Sequence, residues 1–167
     1  MTPGAGRRAA PALASLSTLA ILGPPASSAL GQEEAYGPPP PTRAEFIAQA
    51  DPICREGNRK SAPYFRKVSK NVRKDRLVAA GRNLIRGERI QLRTGRELAE
   101  LEPPPADADR IERWLALVQR GVRRAITAGQ WLTRGNLDRA ARHFDEGQRL
   151  FRKGRRQVRS IDFEVCA

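Results

Sequence analysis

From Phe46 onward apolar residues recur every three or four positions, and no stretch alternates in the manner of a strand. Thr42-Arg43-Ala44-Glu45 is a capping box, in which the threonine hydroxyl takes the N–H three residues on and the glutamate reaches back. The stripe behind it, Phe46, Ala50, Ile53, Cys54, Gly57, Ser61, Tyr64, Phe65 and Val68, predicts a first helix. Pro52 and Pro63 interrupt this stripe, and Pro63 behind Ser61 predicts a kink or a restarted helix. A second helix is expected from about Asp75 to Leu101, with Leu77, Gly81, Leu84, Gln91, Gly95 and Leu98 on one side, before Glu102-Pro103-Pro104-Pro105 stops it. Asp109-Arg110-Ile111-Glu112 reads as another capping box, opening a third helix on Ile111, Leu115, Val118, Val122, Ala125 and Leu132. Gly135-Asn136 ends that helix, and Asn136 caps a fourth with Leu137, Ala140, Ala141, Phe144, Phe151, Val158 and Ile161 as its stripe.

Acid-before-base pairs four residues apart support the helices: Asp51/Arg55, Glu56/Lys60, Asp109/Arg113, Asp138/Arg142 and Asp145/Arg149. Each such pair is worth about 0.3–0.5 kcal/mol on a helix surface. Four helices of similar length with short connections predict an all-α, up-down-up-down four-helix bundle.

The residues ahead of Thr42 have a different character. Arg7 and Arg8 precede an uncharged, mostly apolar run from Ala9 to Leu22, followed by Gly23-Pro24-Pro25 and small residues suited to cleavage. Residues 1–31 therefore read as a secretory signal, cut after Gly31 or Ala29. The run is shorter than the roughly 20 residues a membrane-spanning helix needs, which leaves an uncleaved anchor as the alternative. Residues 32–41, ending in Gly37-Pro38-Pro39-Pro40-Pro41, form a Pro-rich spacer. Residues 42–167 are then one ordinary domain.

In an exported domain this small, the two cysteines Cys54 and Cys166 are expected to pair. Two buried thiols or a metal site are the alternatives; with a single histidine in the chain, metal ligands are scarce. The bundle topology agrees with the pairing. Cys54 lies about 12 residues into the first helix, roughly 18 Å along it, and an extended tail from Arg159 to Cys166 covers about 25 Å. The tail can fold back along the first helix, burying Phe163 and Val165 on the way.

Three segments, Ala50-Asp51-Pro52-Ile53-Cys54-Arg55, Leu101-Glu102-Pro103-Pro104 and Phe163-Glu164-Val165-Cys166, resemble a loose group of small secreted helical proteins of actinobacteria. The resemblance implies export and a disulfide-closed helical fold, and it brings no catalytic residue. Members of that group often carry glycine in the tail turn before the last cysteine; here Ser160-Ile161-Asp162 stands in its place.

Charge changes the picture next. The chain has 31 Lys and Arg against 18 Asp and Glu, a net of +13, which becomes +11 without Arg7 and Arg8. Arg149, Arg152, Lys153, Arg155, Arg156 and Arg159 run along the end of the fourth helix, where positive charge suits the helix dipole. Glu97, Glu100, Glu102, Asp107, Asp109 and Glu112 are expected beside them and to neutralise them. At the opposite pole Lys67, Lys70, Arg73, Lys74, Arg76 and Arg134, joined by Arg66 and Arg139, face only Asp75 and Asp138. The first six are the candidate anion-binding residues, although a solvated charge run is the bland explanation.

Catalytic chemistry finds little support. His143 is the only histidine, no Glu-x-x-His supplies a di-metal bundle, and no Gly-x-Ser-x-Gly occurs. The expectation is a non-enzymatic protein without metal or cofactor. Trp114 and Trp131 are expected in packing rather than in a ligand box. The basic composition meets only the first criterion for nucleic-acid binding, and specific binding of nucleic acid is not expected. Two functions remain. One is docking of the basic pole on an anionic cell-envelope polymer, an acidic lipid surface or a partner protein. The alternative is a carrier or sensor of a small apolar ligand, with a pocket near Gly81, Gly95, Gly121 and Gly129.

Overall fold

The computed structural model describes residues 38–166. The expected signal and most of the expected spacer lie outside the described residues; residues 38–41 are non-helical. Four helices follow: α1 (Arg43–Val72), α2 (Leu77–Ala99), α3 (Ala108–Thr133) and α4 (Leu137–Gln157). They run up, down, up and down, as cross-helix neighbours show. A Cβ on Gly57 of α1 would meet Thr94 near the end of α2, and one on Gly81 of α2 would meet Thr133 at the end of α3. The protein is an all-α four-helix bundle closed by the Cys54–Cys166 disulfide, whose Cα atoms are 5.3 Å apart.

The capping box at Thr42 forms as expected, with Glu45 reaching back to the Thr42 N–H at 2.7 Å. Two helix boundaries differ from those the sequence suggests. α1 is one helix through both prolines, so the helix does not restart at Pro63. Pro52 and Pro63 lie on its exposed side, as do Ala48 and Arg59 four residues earlier, so the carbonyls left without an N–H partner face water. The third helix starts earlier than its predicted capping box, at Ala108, behind Asp107. Asp107 does not cap this helix with its side chain. Its carboxylate, 2% exposed, is held by the Arg43 guanidinium at 2.7 and 3.1 Å, tying the α2–α3 connection to the first turn of α1. Asn136 does cap α4, accepting from the Arg139 N–H at 3.0 Å.

The core has two parts. Around the closed end, Phe46, Ala50, Leu98, Ile111, Trp114, Val158 and Ile161 pack together, and the tail adds Phe163, whose ring lies 5.2 Å from Trp114 and 6.1 Å from Phe46. Toward the other end, Ala80, Leu84, Ala128, Leu132 and Ala140 form a second cluster. Backbones approach closely between successive helices only: α1 with α2, α2 with α3, α3 with α4. α1 and α4 stay apart, and what spans them is the non-helical tail.

The tail turns at Asp162, whose φ of 61° lies in the left-handed region that aspartate tolerates better than most residues. Asp51 receives the tail. Its carboxylate, buried in α1, accepts the N–H groups of Glu164, Val165 and Cys166 at 3.0, 3.1 and 3.1 Å. This replaces the surface pair with Arg55 that the four-residue spacing predicts. Among the other expected pairs, Glu56/Lys60 forms at 3.2 Å and Asp109/Arg113 at 3.8 Å.

Candidate functional site

The six candidate anion-binding residues stand at the end away from the disulfide. Lys67 and Lys70 lie in the last turns of α1, Arg73, Lys74 and Arg76 in the α1–α2 turn, and Arg134 at the C-terminus of α3. All six are exposed, and none of them forms an ion pair with a carboxylate among the described residues. Arg134 and Arg139 sit over the ring of Trp131 at 4.8 and 4.5 Å, which fixes two guanidinium groups on an aromatic platform.

The expected neutralisation of the other basic run is not found. No ion pair links the arginines at the end of α4 to the acids between α2 and α3: Asp107 pairs with Arg43 and Arg110, and Asp109 with Arg113. The two aspartates are taken by Arg43 and by arginines of α3 at 2.7 to 3.8 Å, and Glu97, Glu100, Glu102 and Glu112 form no ion pair among the described residues. Positive charge consequently also lines an α3–α4 groove holding Arg120, Arg123, Arg124, Arg149 and Lys153, where Glu146 is the one acid. The sequence shows Arg149 and Lys153 in the run of the fourth helix but not their meeting with Arg120, Arg123 and Arg124, because the groove is shared between two helices.

What distinguishes the first end is its apolar surface. Val72, Val78, Leu137 and Phe144 are the exposed large hydrophobic residues among those described, at 43, 46, 50 and 40% exposure. They belong to the end of α1, the start of α2 and the first turns of α4. The predicted apolar stripe of α4 is therefore only partly core. Since α1 does not cover α4, Leu137, Ala141 and Phe144 line an open groove with Val68 and Val72, about 270 Å³ in volume.

The expected pocket at the glycines is filled. A Cβ on Gly81 would sit 2.4 Å from the Gly129 carbonyl oxygen, so these two glycines let α2 and α3 cross in backbone contact. Phe151 occupies the space over Gly121, and Gly95 faces only the Gln119 side chain.

The seam between α1 and α4 instead opens midway into a cleft of about 440 Å³. Its floor is α2 and α3, and the tail residues Val165 and Cys166 form one lip. Glu88 lines it at 6% exposure, and burial alone pushes its carboxyl up from 4.5 to about 8. Sequence reading missed Glu88, because a single glutamate on an arginine-rich helix carries no signal of its burial.

His143 has a partly buried ring whose Nδ1 lies 3.8 Å from Glu146 and has no hydrogen-bond partner. No group of three potential metal ligands occurs among the described residues. None of the described helices is long and apolar enough to cross a membrane. No protein-family model, no curated protein and no solved structure matches the chain.

Proposed function

We propose that this is a secreted, non-enzymatic helical protein that docks end-on against an anionic surface of the cell envelope bearing acidic lipid head groups. The observation that supports this reading is the coincidence at one end of Lys67, Lys70, Arg73, Lys74, Arg76 and Arg134 with the exposed Val72, Val78, Leu137 and Phe144. Cations alone would suit any polyanion. Cations around an apolar patch suit an interface where head groups meet acyl chains. A basic residue close to an anionic leaflet contributes about 1 kcal/mol, so six give association at tens of micromolar before any apolar contact.

Vesicle co-sedimentation of the oxidised protein tests this. Binding is expected to vesicles containing phosphatidylglycerol, to weaken as salt rises, and to be lost when Lys67, Lys70, Arg73 and Lys74 are changed to Glu. The same charge reversal at Arg152, Arg155, Arg156 and Arg159 is the control for net charge and should cost much less. Equal loss from both variants, or equal binding to neutral vesicles, would overturn the reading. Salt-sensitive retention on purified anionic wall polymer without vesicle binding would move the docking to that polymer.

A further inference from the structure

Five polar or charged residues are buried among those described: Asp51, Ser61, Glu88, Thr94 and Asp107. Four have partners. Asp51 holds the tail N–H groups, Gln91 donates to Ser61 at 2.7 Å, Thr94 donates to the Ile90 carbonyl at 3.2 Å, and Asp107 holds Arg43. Glu88 is the exception. No hydrogen bond or charge acts on it, and it faces the cleft between α1 and α4. Its carboxyl oxygens are not sealed off, since His143 Nδ1 is the one fully buried side-chain atom without a partner among those described. Glu88 thus offers a carboxyl with no protein partner at the wall of an accessible cleft, free to pair with a ligand.

We propose that this cleft binds a small molecule made of an ammonium group on an apolar body, with the Glu88 carboxylate as its counter-ion. Three aromatic residues line the same space, the half-buried Phe65 and Phe151 and the nearly fully buried Trp114, which packs against Phe163. Aromatic rings beside one carboxylate suit an alkylammonium, through cation–π attraction and a charge-assisted hydrogen bond. The volume falls in the range of small-molecule sites, about 300–1,000 Å³. Gln91 is already engaged with Asn58 and Ser61, and the other polar residues lining the cleft are Asn58 of α1 and Gln148 and Arg155 of α4. Arg155 is exposed and is the only other charged residue facing the cleft; the groups contributed by α1, α3 and the tail are uncharged.

The site is independent of the basic end, and its signature differs. Glu88 is protonated when the cleft is empty near neutral pH. Seating an ammonium therefore releases one proton, and affinity should rise about tenfold per pH unit from about pH 6 to about pH 8. Added salt should leave it nearly unchanged, where vesicle docking weakens.

Calorimetric titration of the oxidised protein with 2-phenylethylamine, in buffers of different ionisation enthalpy, reads both affinity and proton release. Saturable binding with release of one proton is expected. 2-Phenylethanol, the same shape without the charge, should bind at least about tenfold more weakly. Glu88→Gln, which mimics the protonated acid and so keeps the packing, should lose a similar factor together with the pH dependence. Equal binding of the alcohol, unchanged affinity in Glu88→Gln, a flat pH profile, or no saturable binding of the amine would each overturn the proposal. The Lys67, Lys70, Arg73 and Lys74 reversal should leave amine binding intact, so failure of the docking reading and failure of this one are separately visible.

Discussion

The buried carboxylate of Asp51 accepts the backbone N–H of Cys166 at 3.1 Å, three residues before the cysteine to which Cys166 is covalently joined. The tail is thus positioned by charge-assisted hydrogen bonds in addition to being stapled. Asp51→Ala leaves three N–H groups at the tail without an acceptor and should destabilise the oxidised protein by about 2–4 kcal/mol in denaturant titration. It should also slow disulfide formation during oxidative refolding, since the bonds that bring Cys166 to Cys54 are gone. Refolding at the unmodified rate would mean that the tail finds its place without Asp51.

The disulfide closes a loop with a sequence separation of 112 residues. Chain entropy gives it about 4–5 kcal/mol as an upper bound. Reduction, or replacement of both cysteines by serine, should lower the melting temperature clearly and loosen the tail first, read as faster amide exchange at Glu164 and Val165. An unchanged melting temperature after reduction would rule this out. Because Asp51 and the disulfide hold the same segment, the loss from Asp51→Ala should shrink once the bond is reduced, a coupling that a double-mutant cycle measures.

Two glycines on the same helix should respond oppositely to alanine. At Gly81 the new Cβ would lie 2.4 Å from a backbone oxygen of α3, so the helices must separate, at a cost of about 1–3 kcal/mol or more. At Gly95 the nearest atom is the Gln119 Cγ at 3.7 Å, an ordinary contact. Gly95→Ala should then gain about 0.5–1 kcal/mol from helix propensity. Chemical denaturation of the two variants side by side checks both signs.

The Glu88 carboxyl gives a pH dependence whose sign follows from its raised pKa of about 8 against an ordinary 4.5. Between these values the folded chain keeps a proton that the unfolded chain has released, so stability falls as pH rises. The contribution is complete below about pH 4.5 and is lost as pH climbs to about 8, on the order of a few kcal/mol across the window. Glu88→Gln should flatten this decline and be more stable than the parent at alkaline pH. A parallel decline in both proteins would assign it to other groups.

Much of the architecture was legible in the chain because it depends on local rules. Three-to-four periodicity, the Thr42 and Asn136 caps and the stops at Glu102-Pro103 and Gly135 placed four helices. Cys54 and Cys166 could be paired because the length of the tail and the rise of α1 leave them within reach. The boundaries that moved did so for tertiary reasons. α1 runs through Pro52 and Pro63 because both face water, and α3 begins at Ala108 while Asp107 turns its carboxylate to Arg43, which is distant in sequence.

The sequence by itself determined the helices, their order, the positive charge and the one possible disulfide, since each follows from residue type and spacing. Only the tertiary structure decided that the α1 and α4 backbones stand apart across a groove, because the same periodic stripe fits a bundle closed on every side and one left open along a seam. That gap exposes Leu137 and Phe144 beside the cations and gives Glu88 a cleft to face. It also turns the glycines from room for a ligand into contacts between backbones. Burial is a property of what packs across from a residue, and in this protein what lies across from α4 is the C-terminal tail at one end and open groove along the rest.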